Sequence, residues 1–164
     1  MFPGKMVAMI TPLSTAYLKT AMGPLKIVAS ERGILTVNFA VSLEESDEAL
    51  PKFLEQCVSE IEEYFSARRR AFSVPLVVRG TDFQQRVWDA LLEVPFGQTL
   101  TYGQLAKEIG NPGAVRAVGT AVGDNPLAII IPCHRVLPAS GGIGNYASGS
   151  DKKEWLLKHE GVEV

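Results

Sequence analysis

The chain has 164 residues, 46% hydrophobic and 21% charged, with a formal net charge of −2, an ordinary globular composition with room for one domain or two small ones sharing a core. Nine basic and nine acidic groups fall in the first 80 residues and seven basic and nine acidic in the remainder, so neither half is a basic module built for tight non-specific nucleic-acid binding. The longest apolar run, Leu127 to Ile131, is far too short to span a bilayer, and two cysteines with two histidines give no metal-ligand spacing.

Residues Met1 to Leu13 are mildly apolar, with one lysine and no small-residue cleavage site, so no secretory signal is expected. Tyr17 to Thr20, Leu25 to Ser30 and Ile34 to Phe39 are β-rich runs separated by turns at 21–24 and 31–33, which predicts an antiparallel meander. An acidic, serine-containing loop follows over 41–48. Leu50, Phe53, Leu54, Cys57, Ile61, Tyr64 and Phe65 then recur at three- and four-residue spacing, one apolar face of a helix starting near Pro51. Cys57 on that face reads as a small buried hydrophobe. Arg68-Arg69-Arg70 reads as a solvated helix end, Phe72 to Val78 as another extended run, and Gly80 as a domain boundary.

The second half reads as mostly helical. Thr81 and Gln84 form a capping box that opens a helix with Phe83, Val87, Leu91 and Leu92 inward. Thr101 and Gln104 form a second, opening a short helix from Tyr102 to Ile109. Gly110-Asn111-Pro112-Gly113 is a turn, and another helix runs from Ala114 to Gly123. The pair makes a candidate helix-turn-helix. Asp124-Asn125-Pro126 stops it, a strand is expected over Leu127 to Ile131, a glycine-rich loop over 140–146, and a last helix from Ser150 or Asp151 to a C-cap at Gly161.

Two features carry chemistry. Ile131-Pro132-Cys133-His134-Arg135-Val136 delivers a cysteine beside a histidine at a strand end, a way to build one activated thiolate. Adjacent residues in a strand point to opposite faces, so either the backbone turns after Pro132 or a water relays the proton. A histidine base needs a third group to fix its tautomer, and Glu160 is a candidate. A reactive thiol must stay reduced, which argues for the cytoplasm; a Cys57–Cys133 bridge is left open by sequence. The helix over 114–123 is built from small and β-branched residues, with Arg116 its only long polar side chain. Such a helix is a poor reader of base edges, but it can press close to a groove while one arginine fills a gap in a base stack.

With Tyr102-Gly103-Gln104-Leu105-Ala106, Arg116-Ala117-Val118-Gly119, Asn125-Pro126, Gly144-Asn145-Tyr146 and His159-Glu160-Gly161, these motifs make the chain resemble the O6-alkylguanine-DNA alkyltransferases, the methylated-DNA–protein-cysteine methyltransferases. The match is nearly continuous from Phe83 to Gly161; the first half fits by layout. The resemblance implies an α+β protein: a ribonuclease-H-like domain over 1–80, with a small antiparallel sheet and a helix, and a mostly helical DNA-binding and alkyl-acceptor domain over 81–164.

It also implies roles. Cys133 looks like the acceptor thiol, His134 the base acting through a water, and Glu160 the carboxylate that holds His134. Asn125 looks like the tie between helix-turn-helix and active-site strand. Tyr102 looks like the phenol that helps rotate the target phosphate and bonds guanine N3. Arg116 looks like the finger that replaces the flipped base, with Ala114, Val115 and Thr120 beside it on the DNA face. The Cys133 and Val136 backbone looks like the acceptor pair for the guanine amino group, and Tyr146, Ala147 and Ser148 look like the pocket loop. The family commonly has Asn-Tyr-Ser-Gly-Gly where this chain has Asn145-Tyr146-Ala147-Ser148-Gly149. Ala147 lacks a hydroxyl near O6 but keeps its N–H, and Ser148 replaces a flexible glycine; methyl transfer is expected to persist.

The expected function is direct damage reversal. O6-alkylguanine, and in the wider case O4-alkylthymine, is flipped from duplex DNA bound through its minor groove, and the alkyl group passes once and irreversibly to Cys133. No cofactor, metal or membrane is expected, and the protein is expected to be a cytoplasmic monomer. The alternative is a non-catalytic binder of alkylated DNA, which the presence of Cys133 opposes. A cysteine hydrolase would not need a helix-turn-helix, and the reader-poor helix opposes a transcriptional regulator.

Overall fold

The computed structural model describes residues 12–164; residues 1–11, most of the stretch in which a secretory signal was sought, lie outside it. The chain divides into two compact units between Val77 and Val78. The first holds three strands, β1 (Ser14–Thr20), β2 (Gly23–Ser30) and β3 (Gly33–Phe39), paired antiparallel in the order β1-β2-β3, and a helix α1 (Lys52–Phe65). Alternation, with a bulge at Leu35 that brings Ile34 and Val37 to the same face, sends Ala16, Leu25, Ile27, Ala29, Ile34 and Val37 into one core with Leu54, Cys57, Ile61 and Tyr64 of α1. The 41–48 loop folds along β1: Asp47 and Ser46 accept the amides of Thr15 and Tyr17 at 2.8 Å each, satisfying a sheet edge with side chains.

The extended run expected over Phe72 to Val78 does not become a strand. It contributes one bridge, Leu76 beside Ile34, because its donors are committed elsewhere. Glu60, buried on α1, accepts the amides of Ser73 and Val74 at 3.0 and 3.1 Å, and Pro75 has no N–H.

The second unit contains α2 (Asp82–Leu92), β4 (Leu100–Thr101), α3 (Tyr102–Glu108), α4 (Val115–Gly123), a one-turn 3-10 helix (Cys133–Arg135), β5 (Val136–Leu137) and α5 (Ser150–His159). Both capping boxes form, Thr81 with Gln84 and Thr101 with Gln104. On α2 the buried stripe is Val87, Trp88 and Leu91, whereas Leu92 is 43% exposed and Phe83 only half-buried. A stripe through 87, 88 and 91 leaves residue 92 about 100° off its centre. The Trp88 indole donates to the Ala121 carbonyl at 2.9 Å and so pins α4 to α2. β4 and β5 pair in parallel, fixing the start of α3 against the segment that follows Cys133.

The strand expected over Leu127 to Ile131 is instead a buried, tightly wound turn. Ile131 donates to the Leu127 carbonyl at 2.9 Å and Ile130 to that of Ala128 at 2.8 Å. Asn125 organises it: its Oδ1 accepts from Leu127 N at 2.9 Å and its Nδ2 donates to Ile131 O at 2.8 Å. The apolar side chains fill the core while the backbone bends, and Ile129 takes φ +73°. A β-branched residue is strained there by roughly 1–3 kcal/mol.

Candidate active site

The bend continues through the 3-10 turn, so Cys133 and His134 are not on opposite faces of a strand. Both are buried, Cys133 at 8% and His134 at 0% exposure, and Cys133 and Cys57 are free thiols. His134 Nε2 lies 2.8 Å from Glu160 Oε2. A carboxylate only accepts, so Nε2 carries the proton and the lone pair sits on Nδ1. That Nδ1 is buried and has no protein hydrogen-bond partner among the described residues, the arrangement a general base needs.

Glu160 follows the last turn of α5 and is fully buried. Arg135 grips it with two prongs, Nε to Oε1 at 2.8 Å and Nη2 to Oε2 at 2.9 Å, and sends Nη1 to the Val94 carbonyl. Gly97 N adds a longer bond to Oε1 at 3.3 Å. Gly97 holds φ +81°, and a Cβ there would lie 3.1 Å from the Glu160 carbonyl oxygen, so glycine lets this turn approach. Burial alone would oppose ionisation of Glu160, but the bonds from His134 and Arg135 overcome it and hold the carboxyl well below the usual range. Burial likewise depresses His134, with Glu160 working against it, so the imidazole rests neutral. Burial raises the Cys133 thiol; the Asn125 and Tyr146 side chains and the Lys153 charge act in the other direction. On α1, burial pushes Cys57 up to about 12, so that thiol is inert.

A cavity of about 830 Å³ is lined by Tyr102, Val115, Arg116 and Thr120 on α3 and α4, and by residues 138–140, 144 and 145; Cys133 and His134 are not in its lining. Of the site residues the sequence pointed to, Tyr102, Val115, Arg116 and Thr120 line it. Arg116 is exposed at its rim, while the Thr120 hydroxyl folds back onto the Arg116 carbonyl at 3.2 Å. Ala114, the N-cap of α4, is half-buried and lies outside the lining, as do Ala147, which is exposed, and Ser148. Val136 is fully buried. The Tyr146 hydroxyl is buried with no hydrogen-bond partner among the described residues. No group of three or more metal-ligating side chains occurs among the described residues.

Residues 82–162 match the family model described as "6-O-methylguanine DNA methyltransferase, DNA binding domain" and residues 13–78 its "ribonuclease-like domain". A methylated-DNA–protein-cysteine methyltransferase of Methanosarcina acetivorans is 44% identical over 151 residues, covering 89% of this chain and 97% of that protein. The chain belongs to the methylated-DNA–protein-cysteine methyltransferase family. It is a DNA-repair enzyme that transfers an alkyl group to a cysteine. A relative from Mycobacterium bovis is 53% identical over 103 residues, 63% of this chain and 62% of that one. The crystal structure of the Mycobacterium tuberculosis O6-methylguanine methyltransferase superposes with a TM-score of 0.82 at 39% identity, covering 91% of this chain and 93% of that one. The Mycobacterium tuberculosis OGT solved in complex with DNA gives 0.80 at 40%, covering 88% and 90%.

Two buried residues bonded to the Glu160 cluster and its flanking loop were given no role from sequence. Arg135 lay in the quoted motif without a role. Lys153 is 0% exposed inside the unit and donates to the carbonyls of Val136 at 2.7 Å and Asn145 at 3.2 Å. Its signal was positional: residues 153, 156, 157 and 160 are spaced as the inward stripe of a helix, and all four are buried.

Proposed function

We propose that Cys133 is the alkyl acceptor and that the substrate is O6-alkylguanine flipped from duplex DNA, with O4-alkylthymine as a lesser substrate. The observation that carries this is a buried thiol followed directly by an imidazole whose Nε2–H is committed to Glu160 at 2.8 Å, leaving a lone pair on Nδ1. The thiol proton passes to His134 Nδ1 through a water. The thiolate attacks the alkyl carbon in line, the carbon–O6 bond breaks, and a thioether forms as guanine leaves with its electron pair. Tyr102 donates to the departing base at N3, and the Cys133 and Val136 carbonyls accept from its amino group. Tyr146, Ala147 and Ser148 close over the base. Asn125 keeps the Cys133 turn registered with the helix pair.

Duplex binding falls to the helix pair α3–α4, entering the minor groove with Ala114, Val115, Arg116 and Thr120 on the DNA face and Arg116 filling the emptied stack. This is supported by the cavity beside Tyr102 and Arg116 and by the DNA-bound Mycobacterium tuberculosis relative. In this reading 1–80 is the ribonuclease-H-like domain and 81–164 the reacting one. The protein acts once per molecule, as a monomer, in the cytoplasm; no helix among the described residues is long and apolar enough to cross a membrane. Mixing the protein with an oligonucleotide duplex carrying O6-methylguanine should add the mass of one methyl group, mapped to the Cys133 peptide. An unchanged mass, or many turnovers per molecule, refutes the proposal.

A further inference from the structure

Taking Cys133 as the acceptor, we propose that Lys153 is a positioning residue for alkyl transfer: its ammonium holds the Val136 and Asn145 carbonyls as two walls of the base pocket and faces the thiolate with an uncompensated positive charge. Lys153 rises from the first turn of α5 and is completely buried. One of its bonds goes to β5, at Val136, and the other to the loop residue before Tyr146. An ammonium has three donors, so these carbonyls leave one over. The loop comes close because residue 144 is glycine at φ +78°; a Cβ there would meet the Pro138 ring at 2.7 Å and lie 3.9 Å from Lys153 Nζ.

Burying a lysine is costly unless an anion compensates it. Among the described residues no carboxylate lies within ion-pair distance of Lys153, whereas the nearby Glu160 is committed to Arg135 and His134. The ammonium is therefore met only by carbonyl dipoles, and its field remains for the sulfur. The titratable groups that feel its charge are Cys133 and His134; of these Cys133 is the one that gains a negative charge during the reaction. Burial pulls Lys153 down to about 8, with the Cys133 charge opposing that fall. The field is thus present at neutral pH and lost in mild alkali, where the neutral amine keeps two N–H donors for the two carbonyls.

The test uses Lys153→Met in a Cys57→Ala background, which leaves Cys133 as the one thiol. Iodoacetamide labelling of Cys133 is followed by mass against pH, and single-turnover methyl transfer from O6-methylguanine duplex is followed at pH 7. The labelling profile should move up by about one pH unit, which is a loss of roughly tenfold in reactivity at neutral pH, and transfer should slow by at least about tenfold. Superimposable labelling profiles overturn the proposal, because a lysine that merely fills space would not move the thiol titration. If the parent protein is labelled at Cys133 but never methylated there, the acceptor assignment fails while the labelling comparison still decides the role of Lys153. Should Lys153→Met not fold, Lys153→Gln, which keeps donors for the two carbonyls and removes the charge, takes its place. Its labelling profile should move up in the same way, and a profile superimposable on that of the parent overturns the proposal.

Discussion

Glu160→Gln is the sharpest perturbation of this site, because it keeps the shape and removes one charge. The Glu160 side chain is fully buried and receives Arg135 Nε and Nη2, His134 Nε2 and Gly97 N, while Arg135 itself is 7% exposed. An amide can accept on its oxygen but turns its NH2 toward donors it cannot satisfy, and it leaves the guanidinium without a counter-charge. Breaking a buried pair by removing one partner costs about 3–5 kcal/mol, a large share of the roughly 5–15 kcal/mol that stabilises a domain of this kind. Urea unfolding at pH 7 should show a loss of that size, with methyl transfer slowed by up to about 100-fold as His134 loses its orientation and charge support. The pH dependence sharpens the test. The folded carboxyl ionises well below its ordinary value, so its stabilisation is complete above an unfolded pKa of about 4.3 and fades as pH falls toward the folded value. The gap between the two proteins should therefore narrow below about pH 4. A gap under about 1 kcal/mol at pH 7, or one that does not shrink in acid, refutes the assignment of a buried ionised cluster.

Cys133→Ala should bind methylated duplex and gain no mass, whereas Cys57→Ala, which replaces a thiol held protonated by burial, should transfer at the parent rate. Asn125→Ala deletes the bonds to Leu127 N and Ile131 O; leaving those groups unpaired should cost about 2–3 kcal/mol in urea unfolding and slow transfer. Arg116→Ala should weaken repair of duplex more than reaction with free O6-alkylguanine base, and an equal loss on both would rule out its stacking role. Folded His134 is depressed below its ordinary value of about 6.5. It favours the neutral form, so stability should begin to fall as pH drops below about 6.5, ahead of the Glu160 transition.

What local chemistry encodes was legible before any coordinates. Both capping boxes, the meander turns and the stripe of α1 depend on residues three or four apart, and they formed as their spacing requires. Ile129-Ile130-Ile131 was misleading, since a short β-branched run suits a strand or any dry interior equally. Asn125 decides between them by occupying the amide of Leu127 and the carbonyl of Ile131. The Phe72 to Val78 run failed for the same reason, with Glu60 in the deciding place. Side chains that bond backbone outside a helix or strand repeat leave no periodic trace. With 26 residues between them, Glu160 was one distant candidate partner for His134, and the family resemblance singled it out. Lys153 stood in plain sight at an inward helical position, but its charge argued for solvent and concealed it.

Glu160 lies 25 residues beyond Arg135 in the chain, so the charged cluster is complete only once α5 has docked. Until that carboxylate arrives, the guanidinium has no anion and the imidazole nothing to fix which nitrogen holds its proton. In the proposed reaction the Cys133 thiol is therefore competent only when the last helix docks, which couples chemical readiness to completed folding.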